Sequence, residues 1–139
     1  MDTKEISSVL MMGELLFEEI SFERKGMKND KELKFEIEIG IGTSAKDKNL
    51  HKVIVKMKGD KPEEFSFVVS LAGIFRIDME HEDAKKIPID VLLNQNAVAL
   101  LLPYIRAQIT LLTSQPGVEP VVLPPINVKQ LMVDNKTNI

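Results

Sequence analysis

The sequence predicts an α+β fold: a four-stranded antiparallel sheet followed by a long helix and a short C-terminal helix. Three observations carry that reading. Leu33, Phe35, Ile37, Ile39 and Ile41 alternate with Lys34, Glu36, Glu38 and Gly40, a strict period of two that gives a strand one dry and one wet face. Val98, Leu101, Leu102, Ile105, Ile109 and Leu112 recur at helical spacing. Three further strand-like segments, at residues 12–23, 51–58 and 65–77, all precede that helix. At 139 residues the chain is expected to form a single domain, 1–139, large enough to bury roughly two-thirds of its unfolded surface.

Residues 1–11 read either as a short helix or as the start of the first strand. From Met12 to Glu23, Leu16, Ile20 and Phe22 share one face if extended, and Glu19, Ser21 and Glu23 the other. Arg24 to Glu32, with Gly26, Asn29 and Asp30, is a charged loop. After the strand at Leu33–Ile41 comes a turn, Gly42 to Asn49. Then Val53, Val55 and Met57 alternate with Lys52, Lys56 and Lys58. Paired antiparallel, the Glu-bearing face of one strand meets the Lys-bearing face of the next, a few tenths of a kcal/mol to about 1 kcal/mol per pair. Asp60-Lys61-Pro62 breaks the chain before Phe65–Ile77, a strand largely apolar on both faces and therefore expected to be covered on both sides for at least part of its length.

The long helix carries a second apolar stripe: Leu100, Tyr104, Ala107 and Leu111. One sheet covers one stripe, and the simplest partner for the other is a second copy of the same helix, so a homo-oligomer is expected. Val98, Leu101, Leu102, Ile105, Arg106 and Ile109 are assigned to that interface. Pro103 should kink the helix or mark where its main segment begins. Ser114 to Pro125 is a Pro/Gly-punctuated crossover, Ile126 to Val133 a short helix, and 134–139 a tail.

Composition narrows the function. Residues 1–23 hold six acids and one lysine, residues 24–61 eleven bases and six acids, and the remainder six bases and nine acids. No segment is basic enough for a nucleic-acid surface. There is no cysteine, which excludes disulfides and thiolate metal sites and fits a cytoplasmic location. The longest uncharged run, Val91 to Ile105, has 15 residues, short of a bilayer span, so no membrane insertion is expected. His51 and His81 stand apart among charged residues, and neither zinc spacing nor a phosphate-cradling glycine loop occurs. The carboxylate pairs Glu18-Glu19, Glu63-Glu64 and Glu82-Asp83 are adjacent, so on a strand they face opposite ways and cannot act jointly as acid and base. The expectation is a protein without enzymatic activity, metal or cofactor. Arg106, inside an apolar helix, reads as a partner or substrate contact or, structurally, as an interface ion pair or a bond to carbonyls of the crossover, since burying it unpaired would cost too much. Tyr104 reads as core, as interface, or as the rim of a ligand groove.

Pro103-Tyr104-Ile105-Arg106, followed by Leu123-Pro124-Pro125-Ile126-Asn127-Val128, resembles the SecB family of export chaperones. Ile20-Ser21-Phe22-Glu23 and Gly73-Ile74-Phe75 fall where that family has similar sequence, and the resemblance spans about residues 12–133. It implies helices packed on one face of the sheet and a homotetramer built as a dimer of dimers. It implies an ATP-independent chaperone that holds unfolded preproteins in apolar grooves and delivers them to SecA at the Sec translocase. Each sequestered apolar side chain would contribute roughly 1.5–3 kcal/mol gross. Groove candidates by position are Phe35, Ile37, Ile39, Tyr104, Leu112, Leu123, Val128, Leu131 and Met132. Glu19 and Glu23 match two acids of the family's SecA-contacting patch, but Val68 stands where the third is expected and the tail lacks acidic character. Those departures give weight to an alternative within the family, a chaperone dedicated to an antitoxin. A third reading is an apolar small-molecule binder with the sheet wrapped around the helix.

Overall fold

In a computed structural model the chain is described over residues 9–80, 86–128 and 130. Four strands, β1 (Leu10–Arg24), β2 (Lys34–Thr43), β3 (Leu50–Lys61) and β4 (Phe65–Ile77), form one sheet in the order β1-β4-β3-β2. Every neighbouring pair is antiparallel. The sheet is followed by a helix, α1 (Ile89–Thr113). It opens as a short α-helical stretch at Ile89–Val91, widens to π geometry over Leu92–Ala97, and continues as α-helix over Val98–Thr113. Pro103 lies inside that last segment and so does not mark where the helix begins. Half of the terminal helix expected over Ile126–Val133, residues 129 and 131–133, lies outside the described residues. Its start is visible where Asn127 Oδ1 accepts the Gln130 N–H at 3.1 Å, a helix-capping arrangement.

The register carries the alternation of the sequence into two faces. Ile37 and Ile39 stand opposite Met57 and Val55, and these in turn opposite Val69 and Leu71. Together they form the dry face. The wet face joins Lys56 to Glu38 and Lys58 to Glu36 by register, with an ion pair between Lys58 and Glu38 at 3.2 Å.

One expectation for β1 is corrected. Register breaks occur between Met12 and Leu15 and between Phe17 and Glu19. An extra residue in a strand inverts which side chains face the core. Ile20 and Phe22, opposite Val69 and Phe67, therefore share the dry face, whereas Leu16, opposite Ala72, lies on the wet face and is 57% exposed.

The cover expected on the second face of β4 is present over part of its length and comes from side chains. No second layer lies over its wet face among the described residues, yet Ser70 and Ala72 are buried. Glu19 and Lys56 are both register partners of Ser70, and their side chains pair at 3.5 Å. Glu18 and Lys52 pair at 2.9 Å beside them. Long aliphatic stems reaching across small residues shield the strand without a helix.

The loop after β1 docks on the β3–β4 turn. Lys25 N and Gly26 N both donate to the Glu64 carbonyl, at 2.7 and 3.1 Å. A Cβ on Gly26 would lie 2.4 Å from the Glu63 carbonyl oxygen, so only glycine permits this approach. Glu64 is fully buried. Its Oε1 pairs with Lys61 Nζ at 2.8 Å and accepts the Asn29 N–H at 2.8 Å. Asn29 also binds the Pro62 carbonyl and accepts from Lys61.

α1 lays Val98, Leu101, Leu102, Ile105 and Ile109 on the dry face, each no more than 3% exposed. These five residues, expected between copies, belong to the core of a single chain. The helix had two apolar stripes, and the sheet took this one. At 25 residues α1 is long and apolar enough to cross a bilayer, but these side chains show it packed on the sheet as a core helix. The outward stripe keeps Leu100, Tyr104 and Leu111 exposed.

Candidate functional site

The crossover after α1 is held in place by polar side chains of the helix. Arg106 donates from Nε and Nη2 to the Leu123 carbonyl, at 3.2 and 3.0 Å. Its charge thus serves the crossover, one of its expected roles. Thr110 Oγ1 donates to the Val121 carbonyl at 2.7 Å, and buried Thr113 Oγ1 accepts the Val121 N–H at 2.8 Å while donating to Ile109 O. At the other end Arg24 Nη1 donates to Gly117 O at 3.1 Å. Gly117 takes φ +77°, a conformation that suits glycine.

Suspended this way, the crossover forms one wall of an open groove of about 380 Å³. Pro120, Val121, Val122, Leu123 and Pro124 make that wall, and Leu33 and Phe35 the opposite one. Phe65 and Lys61 contribute from the sheet, with Lys31 and Glu119 completing the lining. Lys61 is neutralised by Glu64 and Lys31 by Glu63, at 2.8 and 2.7 Å. The remaining lining is mainly apolar.

Beneath and beside the groove runs a chain of rings. Phe22 stacks on Phe65 with centroids 5.4 Å apart, Phe65 on Phe67 at 6.4 Å, and Phe67 meets Phe35 at 6.2 Å. Gly59 makes the last step possible: a Cβ there would lie 2.3 Å from the Phe67 ring, so the missing side chain lets the ring cross β3. Phe65 and Phe67 are buried, whereas Phe35 is 39% exposed at the groove wall.

Of the groove candidates, Phe35 and Leu123 line it. Ile39 is core, and Ile37, Leu112 and Val128 pack against the core. Tyr104, 45% exposed on the outward stripe of α1, is not part of the lining. Leu131 and Met132 lie outside the described residues. Leu33, Phe65, Val121 and Val122 complete the groove and were not singled out from the sequence. Their signals were present: Leu33 begins the strict alternation and the valines sit between the crossover prolines.

Glu19 and Glu23 share the wet face with Val68, through register partners Ser70, Ser66 and Ser21. Glu19 is paired with Lys56. No group of three or more His, Asp or Glu side chains is placed to hold a metal ion among the described residues.

The family model for SecB, preprotein translocase subunit SecB, matches residues 4–138. The chain belongs to the SecB family. That makes it a relative of chaperones. A solved SecB-like chaperone from Mycobacterium tuberculosis, Rv1957, in complex with a ChAD peptide from the Rv1956 HigA1 antitoxin, superposes with a TM-score of 0.69 at 10% identity. The match covers 91% of this chain and 100% of that one. A Streptococcus agalactiae protein of unknown function matches with a TM-score of 0.50 and 12% identity, over 83% of this chain and 96% of that one. An uncharacterised Methanocaldococcus jannaschii protein, MJ0357, is 28% identical over 114 residues, 76% of this chain and 71% of that protein.

Proposed function

We propose that this SecB-family protein is a cytoplasmic, ATP-independent holdase, without enzymatic activity or cofactor, that binds unfolded polypeptide in the groove between β2 and the crossover. The observation that carries this reading is the groove itself, an open trough of about 380 Å³ walled by Leu33, Phe35, Val121 and Leu123, with its lysines already neutralised. Such a site offers burial without a specific polar match, which suits clients of varied sequence. Ordering a disordered client opposes binding, so several weak apolar contacts along one segment are needed.

The protein acts as a homotetramer in this reading. The exposed α1 stripe of Leu100, Tyr104 and Leu111 is the contact between copies. It replaces the sheet-facing residues that sequence reasoning assigned to that role. The clients are unfolded preproteins passed to SecA, with Glu19 and Glu23 as docking acids.

A second reading keeps the groove and narrows the client to one antitoxin. Two features favour it: Lys56 neutralises Glu19, and Val68 occupies the middle of the wet face. A solved SecB-like chaperone of this fold carries an antitoxin peptide.

Aggregation of a reduced, unfolded model client should be suppressed at stoichiometric amounts. Phe35→Asp and Leu123→Asp should abolish suppression while leaving circular dichroism and mass unchanged. An unprotected client with the unaltered chain would overturn the holdase reading. Capture from the native host separates its two forms, many preproteins supporting the first and a single antitoxin the second.

A further inference from the structure

Glu64 is fully buried, yet only half of its carboxylate is satisfied. Lys61 Nζ and the Asn29 N–H both go to Oε1, at 2.8 Å each. Oε2 is buried and has no hydrogen-bond partner among the described residues, a costly state for a carboxylate oxygen. The turn that presents it is strained. Glu63 takes φ +66°, a left-handed conformation that a glutamate keeps only where its surroundings impose it. Arg24 stands beside this turn, with Phe65, the residue after Glu64, as its register partner. Burial pushes the Glu64 carboxyl up, and the charge of Arg24 is among those that hold it down. The Arg24 side chain nevertheless bonds elsewhere: Nη1 donates to Gly117 O on the crossover at 3.1 Å. Next to exposed Gly117 is Val118, the one buried side chain among the described residues of the crossover. One apolar side chain and one guanidinium thus clip this end of the crossover to the sheet. The two acceptors open to Arg24 are unequal. A carbonyl at an exposed turn is rehydrated when released, whereas a buried carboxylate oxygen gains a charge-assisted bond.

We propose that Arg24 is a two-position latch on the crossover. In one position it holds Gly117 O while Val118 stays seated. In the other it turns onto Glu64 Oε2, which offsets part of the cost of unseating Val118 and frees the wall from Glu119 to Leu123 to draw back from Leu33 and Phe35. This rests on the holdase reading and adds the control of its groove: opening is the hand-over of one guanidinium from a carbonyl to a carboxylate.

The test is amide hydrogen exchange by NMR on the full chain without client, at Val118 and Val121, with Val55 and Val69 in the sheet as reference for overall stability. Glu64→Gln puts an NH2 group or a neutral carbonyl where Oε2 stands, so the open position loses its charged acceptor. Exchange at Val118 and Val121 should then slow about fivefold relative to the sheet amides. In the background of Arg24→Met, an exposed position that leaves the fold intact, the same Glu64→Gln change should have no such effect. A carboxylate with a purely structural role predicts the opposite sign, faster exchange as the turn loosens. Exchange at Val118 that is unchanged or faster in Glu64→Gln overturns the latch, as does equal slowing with Met at position 24. Failure of the unaltered chain to protect an unfolded client overturns the holdase reading alone, since the exchange is read in the free chain.

Discussion

Arg106 holds Leu123: Nε and Nη2 both donate to the Leu123 carbonyl, at 3.2 and 3.0 Å. The guanidinium fork suits two bonds to one acceptor, and Lys cannot reproduce it. Arg106→Met leaves that carbonyl without its partner in a half-buried place. It should cost about 1.5–3 kcal/mol in urea denaturation and weaken peptide binding, because the Leu123 wall loses its anchor. Arg106→Lys should recover part of each. An unaltered binding constant in the Met variant would detach the crossover from the groove's function.

The two stripes of α1 should respond oppositely to substitution. Ile105 is fully buried, so Ile105→Ala should destabilise the chain by about 2–5 kcal/mol. Leu111 is 69% exposed in the single chain. Leu111→Lys should change the stability of one subunit by no more than about 0.5 kcal/mol yet lower the mass seen by light scattering below four chains. A mass unchanged by Leu111→Lys would remove the outward stripe from the contact between copies.

Acid should loosen the β3–β4 turn. Burial pushes the Glu64 carboxyl up, but Lys61, the Asn29 N–H and the charge of Arg24 outweigh it and hold Glu64 below the usual carboxylate range. A depressed folded value means stability present above the unfolded pKa of 4.5 and lost as pH falls through the lower folded value. Denaturation midpoints measured from pH 6 to pH 3 should show that loss. Glu64→Gln should flatten it and cost about 1–3 kcal/mol at neutral pH by leaving Lys61 without its carboxylate.

A second, milder pH dependence should come from His51. Burial lowers its pKa, opposed by Asp47, and Nδ1 lies 3.0 Å from Thr43 Oγ1. The neutral ring is therefore favoured in the folded chain. Its contribution is complete above the unfolded value of 6.5 and declines as pH falls through the lower folded value. His51→Asn, which keeps a polar group near Thr43, should remove the slope just below pH 6.5 and leave the Glu64 window intact.

Much of this molecule was legible in its sequence, for reasons that particular residues show. β4 was read as Phe65–Ile77 and is found there, and the β2 alternation placed Phe35 and Ile39 on the right face. The long helix was recognised from Val98 onward, but its first turns at Ile89–Ala97 carry Asn94, Gln95 and Asn96 and no clean stripe. The displacement of Leu16 was not legible, because a bulge depends on the partner strand rather than on local pattern. Nor was the choice between helix stripes: both were apolar, and only the shape of the sheet decides which fits. The groove was half legible. Phe35 and Leu123 stood out by position, whereas Phe65 read as strand core; the clue was Gly59, an unexplained gap opposite a phenylalanine.

The linked rings of Phe22, Phe65, Phe67 and Phe35 have a mechanical consequence. Phe65 and Phe67 also belong to the core, so the floor cannot reshape itself around a bound segment without disturbing the core of the chain. Accommodation must come from the opposite side, where a proline-stiffened ribbon hangs from Arg106, Thr110 and Thr113. If the protein holds polypeptides as proposed, tolerance of many sequences would reside in the travel of that ribbon against a fixed bed, and tightening its three attachments would narrow the range it accepts.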